Sequence, residues 1–335
     1  MSFGLGLTPR WSVKDLIEIY KRAEELSFEN AWISDYVHLR EVFSTLASVA
    51  LFTEKIKLGT FVTNPFTRNP LIVASAISTL DEISSGRAIL GLAMGDETIL
   101  KMTGCSWVKP LKAMKEAVEI IRSALSGEPV VYEGEIFKAR GIQFVHKPKR
   151  KIPIYIGCRN PRMCKLAGEI SDGVLLDLTH PIEVERALQL VKQGVEKSGR
   201  SIEGFFKAAC PVISVGPEEK AKKAAAWVIA LIVSNAKKEV LMRHNIKLED
   251  VEKVKDALSQ GRLNEAENYV TDEMMETFSI VGPVEKCITA IEKLFKIGLD
   301  HLALAIVHRD LSEAKEQVEI IGRKIIPSFT EGKSS

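Results

Sequence analysis

Eight short apolar or β-branched segments, each followed by a longer segment with helical spacing of its apolar residues, constrain the fold of this chain most strongly. The strand candidates are FGLGL, NAWISD, IKLGTFVT, RAILGLAM, IPIYIGC, GVLLDLT, FKAACPVISV and HLALAIV. Eight such units within 335 residues predict an α/β fold, a closed (β/α)8 TIM barrel. An open doubly wound sheet fits less well, because no G-x-G-x-x-G follows any of these strands.

Two stretches interrupt the alternation of strands and helices, and we interpret both as insertions in the barrel loops. The first lies near residues 129–151 and contains short strand-like runs, whereas the second lies near residues 217–298 and is mostly helical. We find no internal repeat that would divide the chain. We therefore expect residues 1–335 to form a single barrel domain with loop insertions.

The balance of charges and the scattered cysteines narrow the class of partner. The 46 basic and 44 acidic side chains nearly cancel, so no overall field would hold the chain on nucleic acid or on an anionic membrane. The N-terminus lacks a signal-peptide pattern, and the longest strongly apolar run, residues 224–233, is too short to span a bilayer. Five cysteines without a C-x-x-C pair, and six histidines without metal-ligand spacing, indicate reduced thiols, a cytoplasmic protein and no metal. A small-molecule substrate is the partner that these features favour.

The junctions between strands and helices are where we expect the chemistry, because barrels of this kind build their active sites at the C-terminal ends of the strands. Four junctions carry polar residues: Ser34 to Tyr36, Gly59 to Pro65, Met94 to Glu97, and Gly157 to Pro161. Folding into a barrel would bring all four to one mouth.

The junction after the fifth strand has two interpretations. Gly157, Arg159 and Asn160 stand immediately before Pro161, a residue favoured at the first position of a helix. Free backbone N–H groups and a cation would then form a phosphate-binding turn. The alternative is an ordinary strand-to-helix turn with a surface arginine.

The two carboxylate-bearing junctions are equally open. Asp96 either caps a helix or, together with Glu97, contacts a hydroxylated side chain or a substrate amine, and Gly95 permits close approach of the backbone to a ligand. Asp35 ends an apolar strand, where a carboxylate is costly to bury without a polar partner. It either hydrogen-bonds a bound ring or caps the helix that begins near Glu41.

With these junctions in place, the chain resembles the bacterial-luciferase-like superfamily nearly end to end. Within that superfamily it is most similar to the methylenetetrahydromethanopterin reductases that use coenzyme F420. The segments that carry the resemblance are FGLGLTP, FENAWISDY, IKLGTFVTNPFTRNPLIVASAISTLDEISSGRAILGLAMGDE, WVKP, IPIYIGCRNPRMCKLAGEISDGVLL and FSIVGPVEK.

The resemblance implies a barrel that holds the deazaflavin ring at its mouth, against a non-prolyl cis peptide between Phe61 and Val62. It also implies hydride transfer to the methylene bridge of a pterin, methylenetetrahydromethanopterin, in one-carbon metabolism, and assembly into dimers or tetramers. The coenzyme-binding residues would be Asp35, Phe61, Val62, Thr63, Asn64 and Gly95 around the ring, and Gly157, Cys158, Arg159 and Asn160 at the phosphate.

Two positions depart from the family pattern. The first strand of the reductases carries F-G-x-E, whereas this chain has Gly6 in the place of the glutamate. The turn that reads G-A-Q-G-P in the family here places Arg159 at the glutamine. Losing a carboxylate and gaining a cation changes the local charge by about two units. Asp96 or Glu97 would then deliver the proton, or the substrate would differ, as an alcohol, an imine or another activated carbonyl.

Two further hypotheses compete with an F420-dependent reductase. One is a relative in the same superfamily that binds FMN and activates oxygen as a monooxygenase. The other is a barrel that binds a coenzyme without turnover, because a shared fold does not fix a function.

Overall fold

The computed structural model describes residues 1–330. Its strands are β1 Ser2–Leu7, β2 Asn30–Ile33, β3 Lys57–Thr60, β4 Ala88–Leu92, β5 Val130–Glu133, β6 Lys138–Ile142, β7 Ile154–Cys158, β8 Gly173–Leu176, β9 Phe206–Ala209, β10 Val212–Val215, β11 Ser279–Gly282 and β12 His301–Ile306. Its helices are α1 Val13–Glu25, α2 Val42–Ala50, α3 Pro70–Ile83, α4 Glu97–Met102, α5 Pro110–Ser126, α6 Pro161–Ile170, α7 Pro181–Lys197, α8 Glu218–Ser234, α9 Lys238–Arg243, α10 Leu248–Ser259, α11 Leu263–Asn268, α12 Asp272–Phe278, α13 Val284–Lys296, α14 Leu311–Ile320 and α15 Pro327–Thr330, with a π-helical turn at Ile321–Ile325.

A closed ring of parallel strands forms the centre of the molecule. The order around the ring is β1, β2, β3, β4, β7, β8, β9 and β12, and β12 pairs back with β1. Helices connect successive strands on the outside of this ring. The predicted (β/α)8 barrel is therefore confirmed.

One detail of the predicted strands is wrong. The segment FKAACPVISV forms two strands, β9 and β10, because Pro211 lies between them and has no N–H group to continue the ladder. The second insertion is mostly helical, as predicted, and β11 adds a parallel strand beside β10, outside the ring. The first insertion does contain the expected short strands, as an antiparallel hairpin of β5 and β6.

A tryptophan fills the inside of the barrel. Trp32 is fully buried, and a Cβ atom placed on Gly4 or Gly59 would lie within 2.5 or 2.1 Å of its indole. Its Nε1–H donates to Nε2 of His301 over 3.1 Å, and the other ring nitrogen of His301 lies 2.7 Å from Oγ of Ser2. Burial lowers the pKa of His301 to about 3, so the ring is neutral and can accept this hydrogen bond. The two glycines and the neutral histidine thus make room for one large side chain.

The outward faces of the strands pack against the surrounding helices. Alternate residues of β1 show this, because Phe3, Leu5 and Leu7 belong to the large apolar cluster between strands and helices, whereas Gly4 faces Trp32. This packing on both faces of the strands holds the strand ends on a rigid frame.

Over residues 1–330, no helix combines the length and the apolar character that crossing a bilayer would need.

Candidate active site

The four polar junctions predicted from the sequence lie along one arc of the barrel mouth. They follow β2, β3, β4 and β7, which are consecutive strands of the ring. Beyond the end of β3, the Thr63 N–H donates to the Gly91 carbonyl over 3.0 Å, and the Ala93 N–H donates to the Thr63 carbonyl over 2.8 Å. These bonds carry the pairing of β3 and β4 past the strand ends and fix the backbone of the arc.

The expected cis peptide between Phe61 and Val62 is present. The Phe61 ring lies 6.2 Å from Trp32, centroid to centroid, and its edge would be 3.0 Å from a Cβ atom on Gly6. Val62 lies beside Gly157, where an added Cβ atom would be 3.2 Å from Cγ1 of the valine. Phe61 and Val62 therefore form the floor of the mouth, above the tryptophan in the barrel.

Asp35 is the most buried charge of the arc, with 4% of its side chain exposed. Oδ2 accepts from the Thr63 hydroxyl at 2.7 Å and from Nε of Arg68 at 2.9 Å, and Oδ1 accepts from Nη2 of Arg68 at 3.0 Å. The alternative in which Asp35 caps α2 is wrong, because Glu41 caps that helix itself, accepting from the Phe43 and Ser44 N–H groups. The buried carboxylate is instead neutralised within the mouth.

Arg68 is a functional candidate that the sequence analysis missed. Its hydrogen bonds to Asp35 raise the pKa of its guanidinium, and burial opposes this to a smaller extent. Nη2 also lies 3.0 Å from the carboxylate of Glu41. The only signal in the sequence was its place in the segment TRNP, a few residues beyond the strand end.

Asn64 and Gly95 lie side by side. Oδ1 of Asn64 accepts from the N–H groups of Phe66 and Thr67 at 3.0 and 2.9 Å, which fixes the turn after β3. Gly95 has a φ of +73°, and a Cβ atom there would lie 3.2 Å from Cγ of Asn64. Glycine is therefore needed at position 95 for both conformation and space.

The two predicted catalytic carboxylates lie at the start of α4. Oδ1 of Asp96 accepts from the N–H groups of Thr98 and Ile99 at 2.9 and 3.0 Å, so the helix-capping interpretation of Asp96 is confirmed. Glu97 is exposed and pairs with Lys101 at 2.9 Å. Oδ2 of Asp96 makes no hydrogen bond to any of the residues described, so capping leaves one oxygen for another role.

The turn between β7 and α6 separates its residues into two groups. Arg159 and Asn160 are exposed. Asn160 precedes Pro161 and does not cap the helix through its side chain. The carboxylate of Asp177 lies 3.5 Å from the Arg159 guanidinium. Cys158 faces the other way, into the apolar layer beneath α6, because side chains alternate along a strand. The Cys158 side chain therefore lies outside the mouth, and the predicted part of this residue in coenzyme binding rests on its backbone.

Tyr36 was also missed as a candidate, although its junction was singled out. Partial withdrawal from water, followed by the negative charges of Asp96 and Asp177, raises the pKa of its phenol, and Arg10 acts in the opposite direction. These three charged residues follow β4, β8 and β1. The phenol therefore reaches over the mouth and stays protonated at neutral pH.

No group of three or more His, Cys, Asp or Glu side chains in the described part of the chain is arranged to hold a metal ion. The candidate site consists of hydrogen-bond donors, carboxylates and an apolar floor.

Comparisons with known proteins place this architecture in a family. The luciferase-like monooxygenase family model matches residues 2–301. A 5,10-methylenetetrahydromethanopterin reductase of Archaeoglobus fulgidus is 40% identical over 334 residues, covering 98% of this chain and all of the relative.

Solved structures agree with the sequence match. The structure of the coenzyme F420-dependent tetrahydromethanopterin reductase of Methanopyrus kandleri superposes with a TM-score of 0.91 at 34% identity, covering 98% of this chain and 99% of that one. An F420-dependent secondary alcohol dehydrogenase, solved with an F420–acetone adduct, superposes with a TM-score of 0.81 at 23% identity and shares the fold. The chain therefore belongs to the luciferase-like monooxygenase family, in the branch that contains the 5,10-methylenetetrahydromethanopterin reductases.

Proposed function

We propose that this protein is a coenzyme F420-dependent oxidoreductase that reduces the methylene bridge of a tetrahydromethanopterin-type substrate. The observation that carries the proposal is the end-to-end match with reductases of this activity, at 40% identity in sequence and a TM-score of 0.91 in structure. Fold alone would not carry it, because one barrel can serve many chemistries.

The residues of the mouth fit a flat, anionic coenzyme. Phe61 and Val62 offer an apolar floor on which a ring can lie, and the absence of side chains at Gly95 and Gly157 lets the backbone approach a ligand. Arg159 and Asn160 are exposed at the start of α6, where a phosphate would meet a cation and a helix N-terminus.

When bound, the deazaflavin would supply the hydride, and the chain would supply orientation and electrostatics. The ion pair of Asp35 with Arg68 and the hydrogen bond from Thr63 hold this side of the mouth rigid. Rigid positioning of two reactants is worth a large part of a reaction barrier. We assign these three residues to positioning the coenzyme.

Asp96 is the residue to which we assign proton delivery, in place of the glutamate that the family resemblance implies at position 6, with Glu97 as its neighbour. Oδ2 of Asp96 is not used in capping α4. The negative charge of Asp96 helps to raise the pKa of the nearby Tyr36 phenol. An acid must lie within hydrogen-bond reach of the atom that it protonates. The exposed carboxylate of Asp96, at the rim of the mouth, meets this condition only when a substrate binds against it.

A single assay tests the proposal. Purified protein is mixed with reduced coenzyme F420 and methylenetetrahydromethanopterin, and reoxidation of the deazaflavin is followed by its absorbance. We expect reoxidation that depends on both the protein and the pterin. Binding of the coenzyme without reoxidation would keep the cofactor and reject the pterin, and oxygen-dependent turnover with FMN would reject the proposal.

The role of Asp96 is tested by separating capping from catalysis. Asp96→Ser keeps a capping oxygen, so α4 should remain as stable as in the native protein, to within about 0.5 kcal/mol. The rate of the chemical step should nevertheless fall by about a hundredfold, as for loss of a general acid. An unchanged rate in this variant would leave Asp96 with capping alone.

Assembly and location complete the proposal. We propose a homo-oligomer, a dimer or a tetramer, as the family resemblance implies, and a cytoplasmic location in keeping with five cysteines that form no disulfide. Light scattering of the purified protein measures the first of these directly.

A further inference from the structure

Two arginines and a tryptophan form a cluster at the mouth that the proposed reaction does not use. The guanidinium carbons of Arg10 and Arg309 lie 4.9 and 5.0 Å from the centre of the Trp227 ring. No more than twice that distance therefore separates the two cations. We call Arg10 and Arg309, which both contact the Trp227 ring, the arginine pair.

The position of the arginine pair places it across the mouth from the turn assigned to the coenzyme phosphate. Arg10 follows β1 and Arg309 follows β12, and these two strands are hydrogen-bonded neighbours. In the ring of eight strands, β7 with its Gly157–Pro161 turn lies on the opposite side from β1. A ligand held at the arginine pair would therefore approach from the side away from that turn.

The cluster is fixed before any ligand arrives. The Trp227 indole donates its N–H to the Val307 carbonyl at 2.9 Å, which ties α8 to the end of β12. Arg40 donates to the Arg10 carbonyl at 2.7 Å and so holds the loop after β1. A site fixed in this way loses little conformational entropy on binding.

The charges of the arginine pair are only half compensated. Arg309 donates to the Glu267 carboxylate at 2.6 Å. The guanidinium of Arg10 makes no hydrogen bond and no ion pair within residues 1–330; its contact is with the Trp227 ring. Burial, followed by the positive charge of Arg309, lowers the pKa of Arg10. A partly buried cation such as Arg10, beside a second positive charge, is costly unless an anion joins it.

We propose that the arginine pair binds an anionic group, a carboxylate or a phosphate, on the part of the substrate that extends away from the reacting carbon. Arg10 has five free N–H donors in a planar fork, which suits the paired oxygens of either anion. The proposal rests on the function proposed above and adds a requirement, namely that the substrate carries a negatively charged tail.

Binding of simple anions tests the subsite without turnover. Calorimetric titration with glutarate and with inorganic phosphate is compared among the native protein, Arg10→Gln, Arg309→Gln and the control Arg262→Gln. Arg262 is an exposed arginine of the second insertion that pairs with Glu265. We expect association to weaken by about tenfold or more in Arg10→Gln, less in Arg309→Gln, and not in the control. Equal binding in all four proteins would overturn the proposal.

Steady-state kinetics then show whether the bound anionic group belongs to the substrate or to the coenzyme. In Arg10→Gln the KM for methylenetetrahydromethanopterin should rise by about tenfold, with kcat within twofold of the native value and an unchanged Kd for coenzyme F420. Arg10→Lys, which keeps the charge but not the fork, should give an intermediate KM. A weaker Kd for the coenzyme with an unchanged KM would assign the anion to the coenzyme and overturn the proposal. If the native protein does not turn over the pterin, the proposed substrate fails, and the anion titrations alone decide the subsite.

Discussion

Replacing Arg68 by methionine removes the partner of a buried carboxylate and should destabilise the fold measurably. Loss of one member of a buried ion pair costs about 3 to 5 kcal/mol, because the other charge remains without compensation. Here the side chain of Arg68 is 23% exposed and Asp35 keeps its hydrogen bond from Thr63. We therefore expect the free energy of unfolding to fall by about 2 to 3 kcal/mol.

Urea unfolding at pH 7, followed by circular dichroism, measures this loss. The matched control is Lys253→Met, which removes an exposed pair with Asp250 and should change the free energy by about 0.5 kcal/mol or less. The double variant Asp35→Asn with Arg68→Met removes both charges, so it should recover about 2 kcal/mol relative to the sum of the single variants. Additive effects of the two substitutions would refute the claim that the buried pair holds the mouth together.

Three further predictions concern the barrel interior and the rim. Gly4→Ala places a Cβ atom 2.5 Å from Nε1 of Trp32, so we expect a loss of about 1 to 3 kcal/mol, seen as a lower melting temperature; an unchanged melting temperature would show that the indole can move. The pKa of His301 lies near 3 in the folded protein because of burial, against 6.5 for an ordinary histidine, so below pH 6.5 the unfolded chain binds a proton that the folded chain does not. The part of the free energy of unfolding that depends on His301 should therefore be fully present above pH 6.5 and fall by about 1.4 kcal/mol per pH unit towards pH 3. Urea titrations of His301→Gln should lack this part of the slope. Arg159→Ala should weaken binding of coenzyme F420 by about tenfold without a change in stability, since its contact with Asp177 is long and exposed; unchanged affinity in a fluorescence titration would remove Arg159 from the site.

The sequence predicted the barrel because the alternation of strands and helices is a local signal that is repeated eight times. Where it failed, the cause was also local. Pro211 splits an apolar run that reads as one strand, and the four residues of β11 lie between helices in a region too rich in helical pattern to reveal them.

The sequence predicted where the residues of the candidate site lie, but not which side chains contact one another. Asp35, Thr63 and Asn64 were placed at the mouth correctly, since strand ends meet there in any barrel. That Arg68 neutralises Asp35, and that Arg10 and Arg309 meet over Trp227, depends on side chains far apart in the chain. Spacing along a sequence carries no information on such contacts.

The central claim is that the mouth binds a deazaflavin, and an equilibrium titration tests it most directly. Purified protein is titrated with coenzyme F420 and, separately, with FMN, and Kd is obtained from the change in coenzyme fluorescence; the same titrations are repeated with Arg159→Ala. We predict clearly tighter binding of coenzyme F420 than of FMN, and weaker binding of coenzyme F420 in the variant than in the native protein. Equal or tighter binding of FMN would contradict the account and place the protein with the flavin-dependent members of its family.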